Sequence, residues 1–163
     1  MTTPDPNLEA LATEDQPTVE ALTEELDEDK ASHHDVIETV ISSLEQDDSA
    51  MVSHTDEGYL WKFRYGSVDV FVQLTGETDE DLLTVWSPVL SLPVKDELGL
   101  MHKLLEMNWA ETFETCFGTV NSQVVVLAQR TVAGLSPGEI SRAITLVATI
   151  ADDNDELLQE QFQ

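Results

Sequence analysis

The chain has 163 residues, of which 33 are acidic and 7 are basic, and its formal net charge is −26. So negative a surface repels the phosphates of nucleic acids and of anionic membranes, which argues against both as partners. We expect any partner that is attracted by charge to be neutral or basic. The length allows one domain of ordinary size together with a tail.

The first 33 residues have the composition of a tail. They contain many acids, several prolines and no aromatic residue, so they cannot bury enough apolar surface to offset the entropy lost on ordering. We predict that residues 1–33 are mostly disordered. The similar segments 8–11 and 19–22 leave a second interpretation open, in which a short helix docks on the domain or on a partner.

The predicted cellular location is the cytoplasm. The N-terminus lacks both the basic and the apolar region of a signal peptide, and no apolar run is long enough to cross a membrane. The only cysteine, Cys116, cannot form a disulfide within the chain, which agrees with a reducing compartment.

The folded domain is predicted to begin near His34 with a helix. Apolar residues recur between residues 36 and 44 at the spacing of one helical face, and a short strand is predicted over 50–55. The clearest local pattern is 59–74, where two alternating runs of aromatic and β-branched side chains flank a glycine-serine pair. That pattern predicts two antiparallel strands joined by a tight turn.

A fourth strand and a second helix are predicted next. The strand covers residues 82–92, and Pro88 within it indicates an edge position or a bulge. The helix covers residues 95–108. Four apolar residues are predicted to form its buried stripe: Leu98, Met101, Leu104 and Leu105.

The remaining residues predict a second hairpin and a last helix. The hairpin joins strands over 113–120 and 123–132. Ser136 and Glu139 have the spacing of a capping box, so we predict a helix that starts there. It extends to Phe162 if residues 152–156 stay helical. The predicted order is α-β-β-β-β-α-β-β-α, which is typical of the α+β class, with helices packed on an antiparallel sheet.

The two faces of this sheet are predicted to have different roles. We expect helices to cover the face that carries Tyr59, Trp61, Phe63 and Tyr65; the alternative is an exposed patch for a partner. The other face then stays partly apolar, because three helices cannot cover both. We predict that this other face binds a partner or a second subunit through four residues: Leu60, Phe71, Phe113 and Phe117.

No catalytic or cofactor-binding pattern is present in the sequence. The four histidines and Cys116 are not spaced as zinc ligands, and phosphate-binding and nucleophile motifs are absent. We therefore expect a protein that is not an enzyme and that has no catalytic residue, cofactor or metal ligand. The acidic runs 77–81 and 152–156 do not match an EF-hand loop, but they leave an alternative function open, an acidic sensor that binds a divalent ion.

Three local patterns resemble one known family. They are residues 98–108 (LGLMHKLLEMN), the strand 124–128, and residues 134–139 (GLSPGE), which begin a long acidic last helix. Together with the element order, they resemble the YbjN domain, which shares its fold with type III secretion chaperones of the CesT kind, over residues 34–162. The resemblance implies a non-enzymatic, often dimeric protein, and the chaperone relatives bind extended segments of client proteins.

We therefore expect residues 34–163 to form a YbjN-like domain. Its expected function is to bind a segment of a partner protein in a chaperone-like or regulatory role, as a homodimer. The resemblance gives no binding residue that could be assigned to this chain.

Overall fold

The computed structural model describes residues 31–163, so the predicted tail up to residue 30 lies outside the described residues. Within residues 31–163, three helices and six strands follow in the predicted order, and they confirm the α+β class. The helices are α1 (His33–Leu44), α2 (Glu97–Ala110) and α3 (Pro137–Phe162). The strands are β1 (Met51–Thr55), β2 (Gly58–Tyr65), β3 (Val68–Leu74), β4 (Leu82–Ser91), β5 (Cys116–Val120) and β6 (Gln123–Thr131).

The strands form one antiparallel sheet in the order β1-β2-β3-β4-β6-β5. Strand β4 pairs on both sides, so the prediction of an edge position for Pro88 was wrong. The other predicted possibility is confirmed, because the register of β4 against β6 shifts between Pro88 and Leu90, as at a β-bulge. The edges of the sheet are β1 and β5.

One face of the sheet carries the core. Helix α3 crosses β4 and also contacts β3 and β6, and α1 packs against α3. Trp61 is 2% exposed and Phe63 is fully buried, which confirms that the aromatic face of β2 lies under the helices. The core contains further buried residues from β3, β4, β6 and α3: Val70, Val72, Leu83, Val85, Val124, Val126, Ile140, Ile144, Val147 and Leu158.

Two sets of hydrogen bonds stabilise helix α3, one at its start and one further along the helix. At its start, Ser136 Oγ accepts from Glu139 N–H and Glu139 accepts from Ser136 N–H, so the predicted capping box is confirmed. Further along, the turn between β2 and β3 binds the helix, because Ser67 N–H donates to Asp152 Oδ1 at 2.7 Å. Ser67 Oγ also lies 2.9 Å from both carboxylate oxygens of the buried Asp155.

The buried face of α2 differs from the predicted stripe. Its buried residues are Leu100, Leu104 and Met107, while Leu98 and Leu105 are 73% and 69% exposed. Both sets have helical spacing, so periodicity alone could not choose between them. The rotation of the helix is set by tertiary contacts that no local pattern contains.

We predict that Trp61→Ala lowers the free energy of unfolding by about 3–5 kcal/mol, because it removes a large buried ring and leaves a cavity. Trp109 is the matched control, since it is 93% exposed and Trp109→Ala should change stability by less than about 0.5 kcal/mol. Urea denaturation at low protein concentration measures both variants. Equal losses for the two variants would contradict the placement of Trp61 in the core.

We predict that Glu139 makes stability depend on pH in the acid range. Hydrogen bonds from the Ser136 backbone, from Arg130 and from the Ser136 hydroxyl lower the pKa of Glu139 from 4.5 to about 2. A carboxyl whose folded pKa is lowered stabilises the fold fully above its unfolded pKa, and that contribution disappears as the pH falls from about 4.5 to about 2.

Acid unfolding of the Glu139→Gln variant tests this. The variant should be less stable than the natural chain at neutral pH, and the difference should shrink towards pH 2. Glu160→Gln removes an exposed charge from the other end of α3 and serves as the control for loss of charge alone. A stability difference for Glu139→Gln that stays constant down to pH 2 would contradict the assignment.

Candidate partner-binding surfaces

The face of the sheet opposite the helices is the first candidate surface. Along each strand, every second side chain belongs to the core, and the side chains between them point to the opposite face, which we call the open face. It is a mixture of apolar side chains and a few polar ones. The apolar residues of the open face are Leu60, Phe71, Trp86, Pro88, Val125 and Leu127.

An aromatic pair stands at the centre of the open face. Phe71 and Trp86 are register partners, and their rings stack with centroids 5.3 Å apart and planes 11° from parallel. Both rings are partly exposed. Lys62 Nζ lies 5.6 Å from the Phe71 ring centroid and 3.1 Å from Asp69 Oδ2. The aromatic rings are therefore held in one arrangement before any partner arrives.

An open cavity adjoins this pair, with a volume of about 500 Å³. Phe71 and Pro88 line it from the sheet, while Gln159 comes from the end of α3. Gln159 Nε2 donates to the Val89 carbonyl at 3.2 Å, which ties the helix end to the bulged part of β4. The cavity also contains Arg64, whose partner Asp69 lies 3.5 Å away. Most of the residues that line it are polar, so a polar side chain could enter it and form hydrogen bonds.

The second candidate surface is a row of exposed apolar residues on α2, which we call the α2 stripe. It consists of Leu98, Leu105 and Trp109, spaced by seven and four residues and therefore on one side of the helix. Phe113 follows in the turn after the helix and is 76% exposed. Its φ of 51° lies in the left-handed region, which is uncommon for a side chain of this size.

The four residues predicted to form one partner surface lie in three places. Leu60 and Phe71 lie on the open face, as predicted. Phe113 lies outside the sheet, because β5 starts only at Cys116 and residues 112–115 form a turn. Phe117 is 6% exposed and pairs with Val126 on the covered face, so its assignment to the open face was wrong.

The error at Phe117 has a simple cause. Alternation shows which residues of one strand share a face, but the register between strands decides which face that is. The sequence analysis also missed Trp86, Leu127 and the α2 stripe. Trp86 could have been found, because it follows Val85 in the strand pattern just as Phe71 follows Val70, which places each aromatic ring opposite the β-branched residues of its own strand.

Residues of both acidic runs accept hydrogen bonds from other groups of the protein, and in the run 152–156 the donor is Ser67. Asp81 accepts from the backbone and hydroxyl of Thr78 and from the hydroxyl of Thr75, and the hydrogen bond from the Thr78 side chain contributes most to lowering its pKa. Glu77 lies 2.6 Å from the His33 ring. Among residues 31–163, no group of three or more His, Cys, Asp or Glu side chains is arranged to hold a metal ion. The divalent-ion function stays a prediction.

Within the described part, no helix combines the length and the apolar character needed to cross a membrane. A comparison with curated proteins found no match. A solved structure, "Crystal Structure of the ExsC-ExsE Complex", is similar at 20% sequence identity and a TM-score of 0.49, and the similarity covers 65% of this chain and 80% of that chain.

A protein-family model gives the identification. The model of the YbjN family, described as "Putative bacterial sensory transduction regulator", matches residues 33–160. This match spans almost the whole described domain, and it agrees with the resemblance that the sequence patterns carried. The chain belongs to the YbjN family.

Proposed function

We propose that the chain is a non-enzymatic protein-binding module, chaperone-like or regulatory, which holds a segment of a partner protein on the open face of its sheet. The observation that supports this most strongly is the stacked pair of Phe71 and Trp86, which stays partly exposed in the middle of a sheet. Aromatic side chains of this kind contribute disproportionately to protein interfaces. Membership of a family described as a sensory transduction regulator agrees with a role in binding.

The open face is suited to an apolar or aromatic segment. Phe71 and Trp86 would lose their remaining exposed surface under a partner, and each buried square ångström of apolar surface contributes about 25 cal/mol. Because the rings are already stacked, little side-chain entropy would be lost on binding. The adjoining cavity of about 500 Å³ offers a place for one anchoring side chain.

Charge favours a neutral or basic partner. The chain as a whole has a net charge of −26, which attracts basic partners over a distance. The centre of the open face does not share this excess of negative charge, because Lys62 and Arg64 both pair with Asp69 there. An apolar segment can therefore approach the aromatic pair without meeting a cluster of acids, while basic residues outside that segment would be attracted by the net negative charge of the chain.

A second copy of the chain is the proposed occupant of the α2 stripe. Leu98, Leu105 and Trp109 would face the same residues of the other copy across a two-fold axis. Helix α2 has 14 residues and is thus about 21 Å long. The surface buried by so short a contact is below the roughly 800 Å² per partner of a standard interface, unless neighbouring residues add to it. We therefore expect a weak dimer whose population depends on protein concentration.

We predict that the double variant Phe71→Asp, Trp86→Asp loses its protein partner. Purification of the natural chain from its native extract should recover a stoichiometric partner, and the double variant should recover at least about tenfold less, because it places two charges in the contact. Thr39→Asp, on the exposed side of α1, is the control and should keep the partner.

Two results would contradict this function. One is a partner that binds the double variant as well as it binds the natural chain. The other is turnover of a small molecule by the pure protein that a single carboxylate or histidine substitution abolishes, which would place the chain among enzymes.

We predict that Trp109→Lys makes the protein monomeric without lowering its melting temperature, because the ring is exposed in the single chain. Sedimentation across a range of concentrations measures the self-association. Phe71→Ala on the open face is the matched control and should dimerise normally. A natural chain that stays monomeric at high concentration, or a Trp109→Lys dimer of unchanged stability, would contradict the proposed contact.

A further inference from the structure

The two edge strands of the sheet, β1 and β5, differ in whether other groups cover their outward backbone. At the β5 edge, the side chain of Asn108 in α2 pairs with the outward backbone of Phe117. The Phe117 N–H donates to Asn108 Oδ1 at 2.6 Å, and Asn108 Nδ2 donates to the Phe117 carbonyl at 3.3 Å. A carboxamide thus takes the place of a neighbouring strand, and it blocks this edge near the start of β5 against further pairing.

The β1 edge has no comparable cover among residues 31–163. All five residues of β1 are exposed, and within the described part of the chain β2 is its only neighbour in the sheet. Natural edge strands are usually protected by lysine, proline or a bulge. Strand β1 contains neither residue, and its register against β2 is regular over its whole length.

Contacts of Arg64 show which groups of β1 face outward. The Arg64 N–H donates to Ser49 Oγ at 2.8 Å, and its carbonyl accepts from Gln46 N–H at 3.1 Å, so both point to the β1 side of β2. Backbone direction alternates along a strand, so every second residue of β2 points the same way. The partners of those residues point inward, and the N–H and C=O groups of Val52 and His54 therefore point to the open edge.

A cavity of about 220 Å³ adjoins this edge. Its apolar floor comes from Ile41, Val52 and Trp61, and Ser42 stands at its side on α1. Val52 pairs with Trp61, so the cavity lies on the covered side of the sheet, between β1 and α1. The side chain of an added strand that pointed to this side would meet the cavity directly.

The ends of the edge are acidic. Asp47 and Asp48 precede β1, and Asp56 and Glu57 follow it, while Glu38 stands beside the cavity. No lysine or arginine belongs to β1 itself. A docking segment with basic residues at both ends would therefore be favoured at this edge over an acidic one.

We propose that the β1 edge binds an extended partner segment by strand addition, with an apolar side chain in the cavity and Lys or Arg at its ends. Backbone hydrogen bonds to Val52 and His54 would provide affinity, and the cavity would select an apolar side chain. This edge is a different surface from the open face, and the proposal does not depend on what binds there.

The test uses a fluorescein-labelled peptide, KKVTLTVKK, and fluorescence anisotropy on the full chain. His54→Pro removes an outward N–H and leaves the pairing of β1 with β2 in place, so it should weaken binding at least about tenfold. His54→Ala is the matched control, because it keeps the N–H and loses the ring that stacks on Tyr59, and it should bind almost normally.

A second pair of variants tests the cavity. Ser42→Trp fills the cavity from α1 and should weaken peptide binding by a similar factor. Ser43→Trp places the same bulk on the neighbouring exposed position, outside the residues that line the cavity, and should not. Bound peptide should also slow hydrogen exchange at the amides of Val52 and His54, which a contact through side chains alone would not do.

Several outcomes would overturn the proposal. Equal affinity of His54→Pro and His54→Ala would show that the outward backbone is not used. Loss of peptide binding in Phe71→Asp, with both His54 variants unaffected, would move the peptide to the open face. A change in self-association in His54→Pro without a change in peptide affinity would make the edge a contact between copies. Absence of binding at millimolar peptide would also overturn it.

Discussion

Packing of the helices against a single sheet face is the constraint on which the rest of the structure depends. Six strands about 4.8 Å apart make a sheet roughly 24 Å wide, and a helix is about 10 Å across. Covering one face of such a sheet therefore requires all three helices of residues 31–163, and none remains for the other face. Helix α3 takes the centre of that side, and Ser67 in the turn between β2 and β3 binds it there. The opposite side keeps Phe71 and Trp86 partly exposed as a direct consequence.

The same packing explains the remaining surfaces. Helix α2 lies beside β5, where Asn108 blocks the edge and Leu98, Leu105 and Trp109 are turned outward. Because α1 packs on α3 and the outer edge of β1 stays unpaired among residues 31–163, a cavity remains between β1 and α1. A single domain thus offers three distinct surfaces, an aromatic face, a helical stripe and a strand edge, each suited to a different kind of contact.

Local patterns predicted the elements well, because turn chemistry, capping and alternation act between near neighbours in the chain. The hairpin around Gly66, the box at Ser136 and the burial of Trp61 are examples. Features set by distant contacts could not be predicted. The rotation of α2 depends on Asn108 meeting Phe117, and the face that Phe117 occupies depends on its register against Val126. The sequence therefore predicted a partly apolar face opposite the helices, but two of the four residues assigned to it, Phe113 and Phe117, lie elsewhere.

Hydroxyl-radical footprinting of the three tryptophans tests the central claim most directly, since they occupy the core, the open face and the α2 stripe. In the isolated chain at low micromolar concentration, Trp86 should be oxidised several times faster than Trp61 and more slowly than Trp109. Addition of a bound partner segment should then protect Trp86 and leave Trp61 unchanged. Equal protection of Trp86 and Trp61 in the isolated chain would mean that both faces of the sheet are covered, and it would contradict this account.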